Sequence, residues 1–345
     1  MQYISKPRFF TDFINAQRQG GYSFTYSVSG GGGLDTSSNE FNLVDGNPCN
    51  PIHFESLNSS AVITIVWKDK FGEEANTTSN TNSCIESLQL LGHNLKSCGA
   101  KVSLLQATAS NLTTHTKMTM NSLYGSSTEV ESGGVPQKEY TINENGSHIY
   151  NFSVGVDHNI YWALKIEPTG ANFIGDIKIG SMRLGSIITA PHAVNVSEKH
   201  ESAKNFRKVK SVGGNVYSYR THKNQTWLDK QPPFQNYPNT FNMNDLPAHS
   251  YGMIPTSYSM DFSYVSDADY MNANENILTL QSDKTFNGLY NQTLGGHLPV
   301  IMQKDSPATQ TTKKSDFSWG YIDTFRRTRI APNLWNVSMG FSEDL

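Results

Sequence analysis

The side chains that most often carry chemistry in proteins are scattered along this chain. Its ten histidines include no His-Glu-x-x-His motif and no pair four residues apart, so no helix presents two of them to a metal. Five histidines lie in polar segments, where we expect solvated side chains: His115, His148, His158, His222 and His249. The sequence therefore predicts no histidine-based metal site.

Two acidic segments share part of the pattern of a calcium loop. Asp267, Asp269 and Asn272 are spaced suitably, but the glycine and the final glutamate of such a loop are missing. Asp45-Gly46-Asn47 is the better candidate for Ca²⁺, although the same residues are typical of a simple turn. We expect turns at both places, and neither a metal nor another cofactor.

Catalytic motifs are also missing. The chain has no Gly-x-Ser-x-Gly elbow and no cysteine in a nucleophile context. Paired carboxylates for glycoside hydrolysis can lie far apart in a sequence, yet no candidate pair stands out. The sequence predicts a protein that is not an enzyme.

Two basic clusters could contact the phosphate backbone of a nucleic acid: Lys204–Lys210, and Arg326, Arg327 and Arg329. The net charge of the whole chain is only -3, so no global field draws it to nucleic acid. We therefore expect no nucleic-acid partner, and favour protein contact or plain solvation for both clusters.

Composition indicates a β-rich, soluble class of protein. Only 17% of the 345 residues are charged, against about 25% in typical soluble domains, and Gly, Ser, Thr and Asn are abundant.

No apolar run is long enough to span a bilayer, and Met1–Phe10 lacks the apolar region of an export signal. Cys49, Cys84 and Cys98 cannot all pair, which fits thiols in a reducing compartment. We expect no membrane insertion.

Strands dominate the pattern along the chain. The first half contains apolar or alternating segments of strand length at Ala61–Trp67, Lys101–Leu105, Tyr150–Val156 and Ile160–Ile166. Later candidates are Asn215–Arg220, Leu278–Gln281, Leu298–Gln303, Phe317–Asp323 and Trp335–Phe341. A change in composition near Gly185 indicates a domain boundary. The predicted fold is mainly β: an arm over residues 1–40, a β-sandwich over 41–185 and a second β-rich domain, barrel or sandwich, over 186–345.

Two segments have helical spacing. Pro7–Gln17 places Phe9, Phe10, Phe13 and Ile14 on one face, which predicts a short N-terminal amphipathic helix. Ser83 and Glu86 form a capping-box pattern before a row of leucines, although the interior Gly92 weakens that helix prediction: Leu88, Leu91 and Leu95.

Several short motifs resemble galactose-binding-like jelly-roll domains, in the variety found in structural proteins of tailed bacteriophages. They are Asn42–Pro48, Leu90–Leu95, Gly99–Val102, Tyr161–Ile166 and the exit strand Ile179–Gly185. The second half is similar to the same phage proteins at Gly213–Tyr217, Leu298–Ile301 and the terminal strand Asn336–Phe341. The resemblance implies turns at Gly92 and Gly99, where φ must be positive or strands approach closely, and local backbone hydrogen bonds from His93 and Asn94. It also makes Asp45 a possible Ca²⁺ ligand.

The function that this resemblance implies is structural. We expect a component of a tailed-phage virion, in the tail or baseplate, assembled in the bacterial cytoplasm as a symmetric homo-oligomer with other virion proteins. The expected assembly contacts are Phe9, Phe10, Phe13, Ile14, Val337, Met339 and Phe341. These side chains could instead pack on their own subunit.

The alternative function is a carbohydrate-binding module that contacts a host-surface glycan. Such a module should leave an aromatic ring exposed on a rim loop, because sugar rings stack on aromatic faces. Trp67 and Trp162 lie within apolar strand patterns and are expected in the core. The exposure of other aromatic rings therefore distinguishes the two functions.

Overall fold

The computed structural model describes residues 6–19, 24–36, 38–44, 50–55, 57, 61–69, 85–153, 161–195, 256–271, 283–305 and 317–343, and the backbone of strands 199–202, 206–210 and 216–220. Its helices are the short α1 (Phe13–Gln19), α2 (Asp267–Tyr270) and α3 (Phe286–Gln292), with a 3₁₀ helix at Glu40–Val44. Antiparallel strands form most of the rest, so the chain is mainly β, as the sequence predicted. None of the described helices combines the length and apolarity needed to cross a bilayer.

The described strands of the first half follow the chain closely. They are β1 (Arg8–Phe10), β2 (Phe24–Ser29), β3 (Gly33–Leu34), β4 (Ile52–Glu55), β5 (Val62–Lys68), β6 (Ser87–His93), β7 (Ala100–Ala107), β8 (His115–Lys117), β9 (Met120–Tyr124), β10 (Ser127–Ser132), β11 (Val135–Ile142), β12 (Gly146–Phe152), β13 (Tyr161–Pro168), β14 (Ile177–Ile179), β15 (Ser181–Gly185) and β16 (Ile187–Thr189). The second half adds β17 (Lys199–Ser202), β18 (Phe206–Lys210), β19 (Val216–Arg220), β20 (Thr256–Ser266), β21 (Val300–Gln303), β22 (Phe317–Ala331) and β23 (Leu334–Glu343).

The first half is a β-sandwich. Its outer sheet has the order β10-β11-β7-β13-β5-β2, with β8 beside β7, and its middle sheet has the order β15-β6-β12-β9. Ile65 and Leu164 from the outer sheet share one apolar cluster with Leu90 and Tyr150 from the middle sheet. In β5 the buried residues alternate with half-buried ones, so this strand buries one face fully. A small third sheet, β14-β4-β3, lies beside the same core.

The back sheet joins both ends of the chain in the order β16-β1-β21-β22-β23-β20-β17. One face packs against α2 and α3, where Phe262 contacts Phe286 at a ring separation of 4.8 Å. Near β1 and β21 the other face packs against the middle sheet, with Phe10 and Ile301 against Leu91. The middle sheet is therefore covered on both faces, which makes three β layers.

The N-terminal segment differs from the predicted helix. Arg8–Phe10 is strand β1, inserted between β16 and β21, and α1 begins only at Phe13. Asp12 Oδ1 accepts a hydrogen bond from the Asn15 N–H, so Asp12 caps this helix. The alternation of strand geometry sends the two phenylalanines that precede α1 to opposite faces of the back sheet. Pairing with two distant strands therefore overrides the local helical spacing.

The predicted helix after Glu86 is also wrong, because Ser87–His93 is strand β6. Leu88 and Leu90 point into the sandwich core and Leu91 points to the back sheet, so apolar partners on both faces favour a strand. Ser83, the proposed cap, lies outside the described residues. Gly92 and Gly99 both have positive φ, of 63° and 62°, as the resemblance implied.

The side chains expected to form assembly contacts are all buried in the protein's own core. Each is at most 3% exposed: Phe9, Phe10, Phe13, Ile14, Val337, Met339 and Phe341. The three from β23 face the helices that cover the back sheet, and the four from the N-terminal segment occupy three apolar clusters. They pack on their own subunit, which was the alternative, and they offer no open surface to another copy.

Candidate binding site

A histidine lies between two carboxylates on the small sheet beside the sandwich core. His53 Nδ1 is 2.7 Å from Asp35 Oδ2, a hydrogen bond, and His53 Nε2 is 3.3 Å from Asp176 Oδ2. The second contact is close enough for an ion pair but lacks hydrogen-bond geometry, so the buried Nε2 atom makes no hydrogen bond within the described chain. The Asp176 side chain is 49% exposed, so this cluster is open to solvent. We call these three residues the His53 cluster.

The small sheet β14-β4-β3 positions the His53 cluster. His53 lies on the central strand β4 and pairs with Lys178 of β14. Asp35 directly follows β3, and its N–H donates to the His53 carbonyl at 2.9 Å. Asp176 directly precedes β14. Each residue of the cluster is therefore fixed by strand pairing, and the imidazole is held on both sides.

The backbone at Asp176 is held by the turn between β6 and β7. The Asn94 side chain donates to the Asp176 carbonyl at 2.9 Å and accepts from the Lys178 N–H at 2.8 Å. Cys98 Sγ donates to the same carbonyl at 3.1 Å. Asn94 thus bonds backbone, as expected, but this backbone is not local, because it lies on β14 and just before it. Asn94 is a positioning residue for the cluster.

Cys98 is a free, buried thiol, as expected from the sequence. Burial raises its pKa, and the Asp176 carboxylate raises it further, so the thiol stays protonated at neutral pH. This state suits its role as a hydrogen-bond donor and makes it a poor nucleophile. Cys49 and Cys84 lie outside the described residues.

Aromatic exposure distinguishes the two predicted functions. Trp67 and Trp162 are at most 2% exposed, which confirms that both belong to the core. Phe41, in the 3₁₀ helix that packs against β4, is 38% exposed. In the described part of the sandwich it is the one large aromatic ring that reaches this level of exposure. It lies directly before the Asn42–Pro48 motif, of which residues 45–48 are outside the described residues.

The histidine pair of the middle sheet is not solvated. His148, expected in a polar loop, is fully buried, and its Nδ1 lies 2.8 Å from His93 Nε2. The Leu95 N–H donates to His93 Nδ1, and His148 Nε2 lies 3.1 Å from the Ser126 carbonyl. This chain of donors and acceptors is complete when both rings are neutral. His115, by contrast, is exposed as predicted; His158, His222 and His249 lie outside the described residues.

Among the described residues, no group of three or more His, Cys, Asp or Glu side chains is arranged so that it could hold a metal ion. Asp267 and Asp269 belong to the first turn of α2, where the Asp269 N–H donates to the Ser266 hydroxyl and Asp267 accepts from the Trp335 indole. The structure thus gives these two carboxylates roles in a helix cap and an indole contact. Asn272 and Asp45-Gly46-Asn47 lie outside the described residues, as do the side chains of Lys204–Lys210.

Sequence reasoning did not single out the His53 cluster. Asp35, His53 and Asp176 come from three strands that meet only in the folded sandwich, and none belongs to a recognisable local motif. The sequence held one indirect signal, which is Asn94 in the Leu90–Leu95 motif. Its side chain turned out to hold the segment that carries Asp176.

Comparison with known proteins yields one weak structural likeness and no family. No protein-family model and no curated protein matches the chain. Among solved structures, the chain is similar to CBM32-1 from a family 31 glycoside hydrolase of Clostridium perfringens, with 15% identity and a TM-score of 0.26, over 46% of this chain and 92% of that one. A likeness at this level carries no argument about function. The expected phage origin has no support from the comparisons and stays a prediction.

Proposed function

We propose that the chain is a non-catalytic carbohydrate-binding protein that holds a glycan at the His53 cluster, beside the Phe41 ring. The observation that carries the proposal is the half-exposed Asp176 carboxylate, which lies 3.3 Å from a fixed, buried imidazole nitrogen. The His53 ring is fixed by Asp35 while Nε2 makes no hydrogen bond, next to the half-exposed carboxylate of Asp176. A site that binds hydroxyl groups needs this combination of fixed polar atoms and partial access.

The chemistry of the cluster suits vicinal sugar hydroxyls. A carboxylate accepts hydrogen bonds through two oxygens, and an imidazole nitrogen can serve as donor or acceptor according to its tautomer. The Asp176 carboxylate is half-exposed, so two adjacent hydroxyls of one sugar ring could each donate to one of its oxygens, while the buried His53 Nε2 lies 3.3 Å from Oδ2. The Asn94 and Cys98 contacts fix the Asp176 backbone, which lowers the entropy lost on binding.

The Phe41 ring supplies the apolar part of such a site. Sugar rings present C–H faces that pack on aromatic side chains, and polar groups at the edge then set orientation. The 3₁₀ helix that carries Phe41 packs against the strand that carries His53. The elements that carry the ring and the cluster are therefore neighbours in the fold.

A glycan screen followed by titration calorimetry tests the proposal. The wild-type chain should bind a neutral glycan, and Asp176→Asn and Phe41→Ala should each weaken that binding about tenfold or more, because buried or stacked contacts in a sugar site contribute about 1–3 kcal/mol. The matched control is Glu131→Gln, an exposed carboxylate on β10 with the same loss of charge. It should bind like the wild type.

Thermal melting of each variant separates binding from folding, since the half-exposed Asp176 and the exposed Phe41 should change the melting temperature little. A screen in which no glycan binds the folded wild type overturns the proposal. Equal binding by the wild type and both variants would place any glycan site elsewhere.

A second candidate is the structural virion role expected from the phage resemblance. The resemblance alone supports it, since the side chains expected to form assembly contacts are buried. Immunogold labelling of purified phage particles with an antibody against the recombinant chain tests this role. Label at the tail or baseplate supports it, and unlabelled particles that lack the chain by mass spectrometry contradict it.

A further inference from the structure

Strand β22 extends well beyond its neighbour on one side. It pairs with β21 only from Phe317 to Gly320, whereas it pairs with β23 as far as Ala331. Among the described strands, residues 324–331 therefore have a partner on one side only. Most side chains over this stretch are exposed on both faces of the sheet. We call residues 324–336, which include the turn to β23, the arginine hairpin.

The arginine hairpin carries three cations that no described carboxylate neutralises. Arg326, Arg327 and Arg329 are exposed, and none forms an ion pair within the described residues. Nearby carboxylates have other partners: Asp267 accepts from Trp335, Asp261 from Ser338 and Asp323 from Ser342. The sequence left this cluster between protein contact and solvation.

Two of these arginines are held in place by aromatic rings. The Arg329 guanidinium lies 5.7 Å from the centre of the Trp335 ring, and the Arg327 guanidinium lies 5.8 Å from that of Tyr270. Arg327 also donates to the Tyr270 hydroxyl. The two rings pack on each other at 4.5 Å. A stacked guanidinium keeps its edge donors for another group and loses less rotamer entropy on binding.

We propose that the open edge of the arginine hairpin binds an extended acidic segment of a partner protein by β-strand addition. Arg327 and Arg329 are two residues apart on one strand, so they project from the same face about 7 Å apart. Alternate side chains of an added strand have the same spacing. Acidic residues at two alternate positions would thus lie directly across from both arginines.

Other occupants fit the hairpin less well. An antiparallel pair of two copies centred on Thr328 would place arginine against arginine, which is unfavourable for directly opposed cross-strand residues. Single-stranded nucleic acid binds by stacking bases on open aromatic faces, yet Tyr270 is only 1% exposed and the half-buried Trp335 ring already packs against Tyr270 and Arg329. A strand with acidic side chains supplies partners for both the edge and the charge that have none among the described residues.

Fluorescence anisotropy with labelled peptides tests the proposal on the full chain. A peptide of about nine residues that alternates Glu with Thr should bind, and the matching Gln–Thr peptide should bind about tenfold more weakly because it lacks the charge. The double variant Arg327→Glu/Arg329→Glu should lose the Glu–Thr peptide and gain a Lys–Thr peptide. Lys96→Glu, an exposed charge reversal on the sandwich, is the control and should keep wild-type binding.

N-methylation separates strand addition from a merely cationic surface. Two versions of the Glu–Thr peptide carry N-methyl groups on one or the other set of alternate residues, and strand addition requires at least one version to lose binding. Equal binding by both versions overturns the proposal, as does the absence of any binding to the folded wild type. Tighter binding of single-stranded DNA or a sulfated glycan through the same arginines would also overturn it, in favour of a polyanion site.

Discussion

Asp12 and Arg183 form an ion pair that is closed to solvent on both sides. Arg183 Nε donates to Asp12 Oδ2 at 2.9 Å. The Arg183 side chain is 0% exposed and the Asp12 side chain is 2% exposed. The same guanidinium donates to the Pro299 carbonyl and lies 4.6 Å from the centre of the Trp319 ring. One side chain of the middle sheet therefore joins the N-terminal segment to the back sheet.

We expect loss of one partner of this pair to be far more damaging than loss of both. Asp12→Asn or Arg183→Met alone should lower the free energy of unfolding by about 3–5 kcal/mol, because each leaves a buried group without its partner. The double variant Asp12→Asn/Arg183→Met should lose less than the sum. Urea denaturation of the four proteins measures the coupling; additive losses would show that the pair does not act as a unit.

The histidine pair predicts a loss of stability in mild acid. Burial lowers the pKa of His93, as does the nearby His148, and burial likewise lowers the pKa of His148. An unfolded histidine has a pKa of about 6.5, so below that pH the unfolded state binds more protons than the folded one. Stability should thus be complete above about pH 7 and fall as the pH drops, by up to about 1.4 kcal/mol per pH unit for each proton.

Melting temperatures between pH 7.5 and pH 5 measure this effect. The variant His93→Gln/His148→Gln should show a shallower decline than the wild type, even if it is less stable at pH 7.5. The exposed His115→Gln is the control and should keep the wild-type slope. A double variant with an unchanged slope would show that other groups cause the acid sensitivity.

The sandwich was predictable because its signals are local. Strands β5, β7 and β13 lie almost where alternation and apolar runs predicted them, since burial of one face leaves a period of two, as in β5, and burial of both faces leaves an apolar run, as in much of β7. Strand β1 was missed because its state depends on β16 and β21, which lie far along the chain. The spacing of Phe9 and Phe10 alone fits a helix as well as it fits a strand.

The candidate site was not predictable for a similar reason. His53 becomes distinctive only when the folding of β3, β4 and β14 brings Asp35 and Asp176 to it. His148 lies in a sequence context that is typical of solvated loops, and its burial follows from its place between His93 and the turn at Ser126. A site whose residues come from several separate strands has no characteristic spacing in the sequence by which it could be predicted.

Gly185 predicts a sharp steric effect at the point where the chain leaves the middle sheet. A Cβ atom added there would lie 2.1 Å from the Thr11 carbonyl oxygen, which belongs to backbone and cannot move aside easily. Gly185→Ala should therefore destabilise the protein by about 2–4 kcal/mol, because the backbone can relax only in part. Gly170→Ala is the control, since nothing lies within 4 Å of its added Cβ. Equal melting temperatures for the two variants would contradict this close approach.

Glu139 predicts a smaller, charge-dependent effect on the outer sheet. Its carboxylate bridges Lys101 at 2.6 Å and Lys117 at 2.5 Å, which ties β11 to β7 and β8. Burial raises the pKa of Glu139, but the hydrogen bonds and charges of the two lysines outweigh burial, so the pKa is lowered overall. A lowered pKa stabilises the fold above the unfolded value of about 4.3, and that stability is lost as the pH falls through the folded pKa.

Glu139→Gln should therefore cost about 1 kcal/mol of unfolding free energy at pH 7, measured by urea denaturation, and little at pH 3. The control is Glu131→Gln, on the exposed neighbouring strand β10, which should change stability by less at both pH values. If Glu139→Gln costs as much at pH 3 as at pH 7, then packing and not charge holds these strands together.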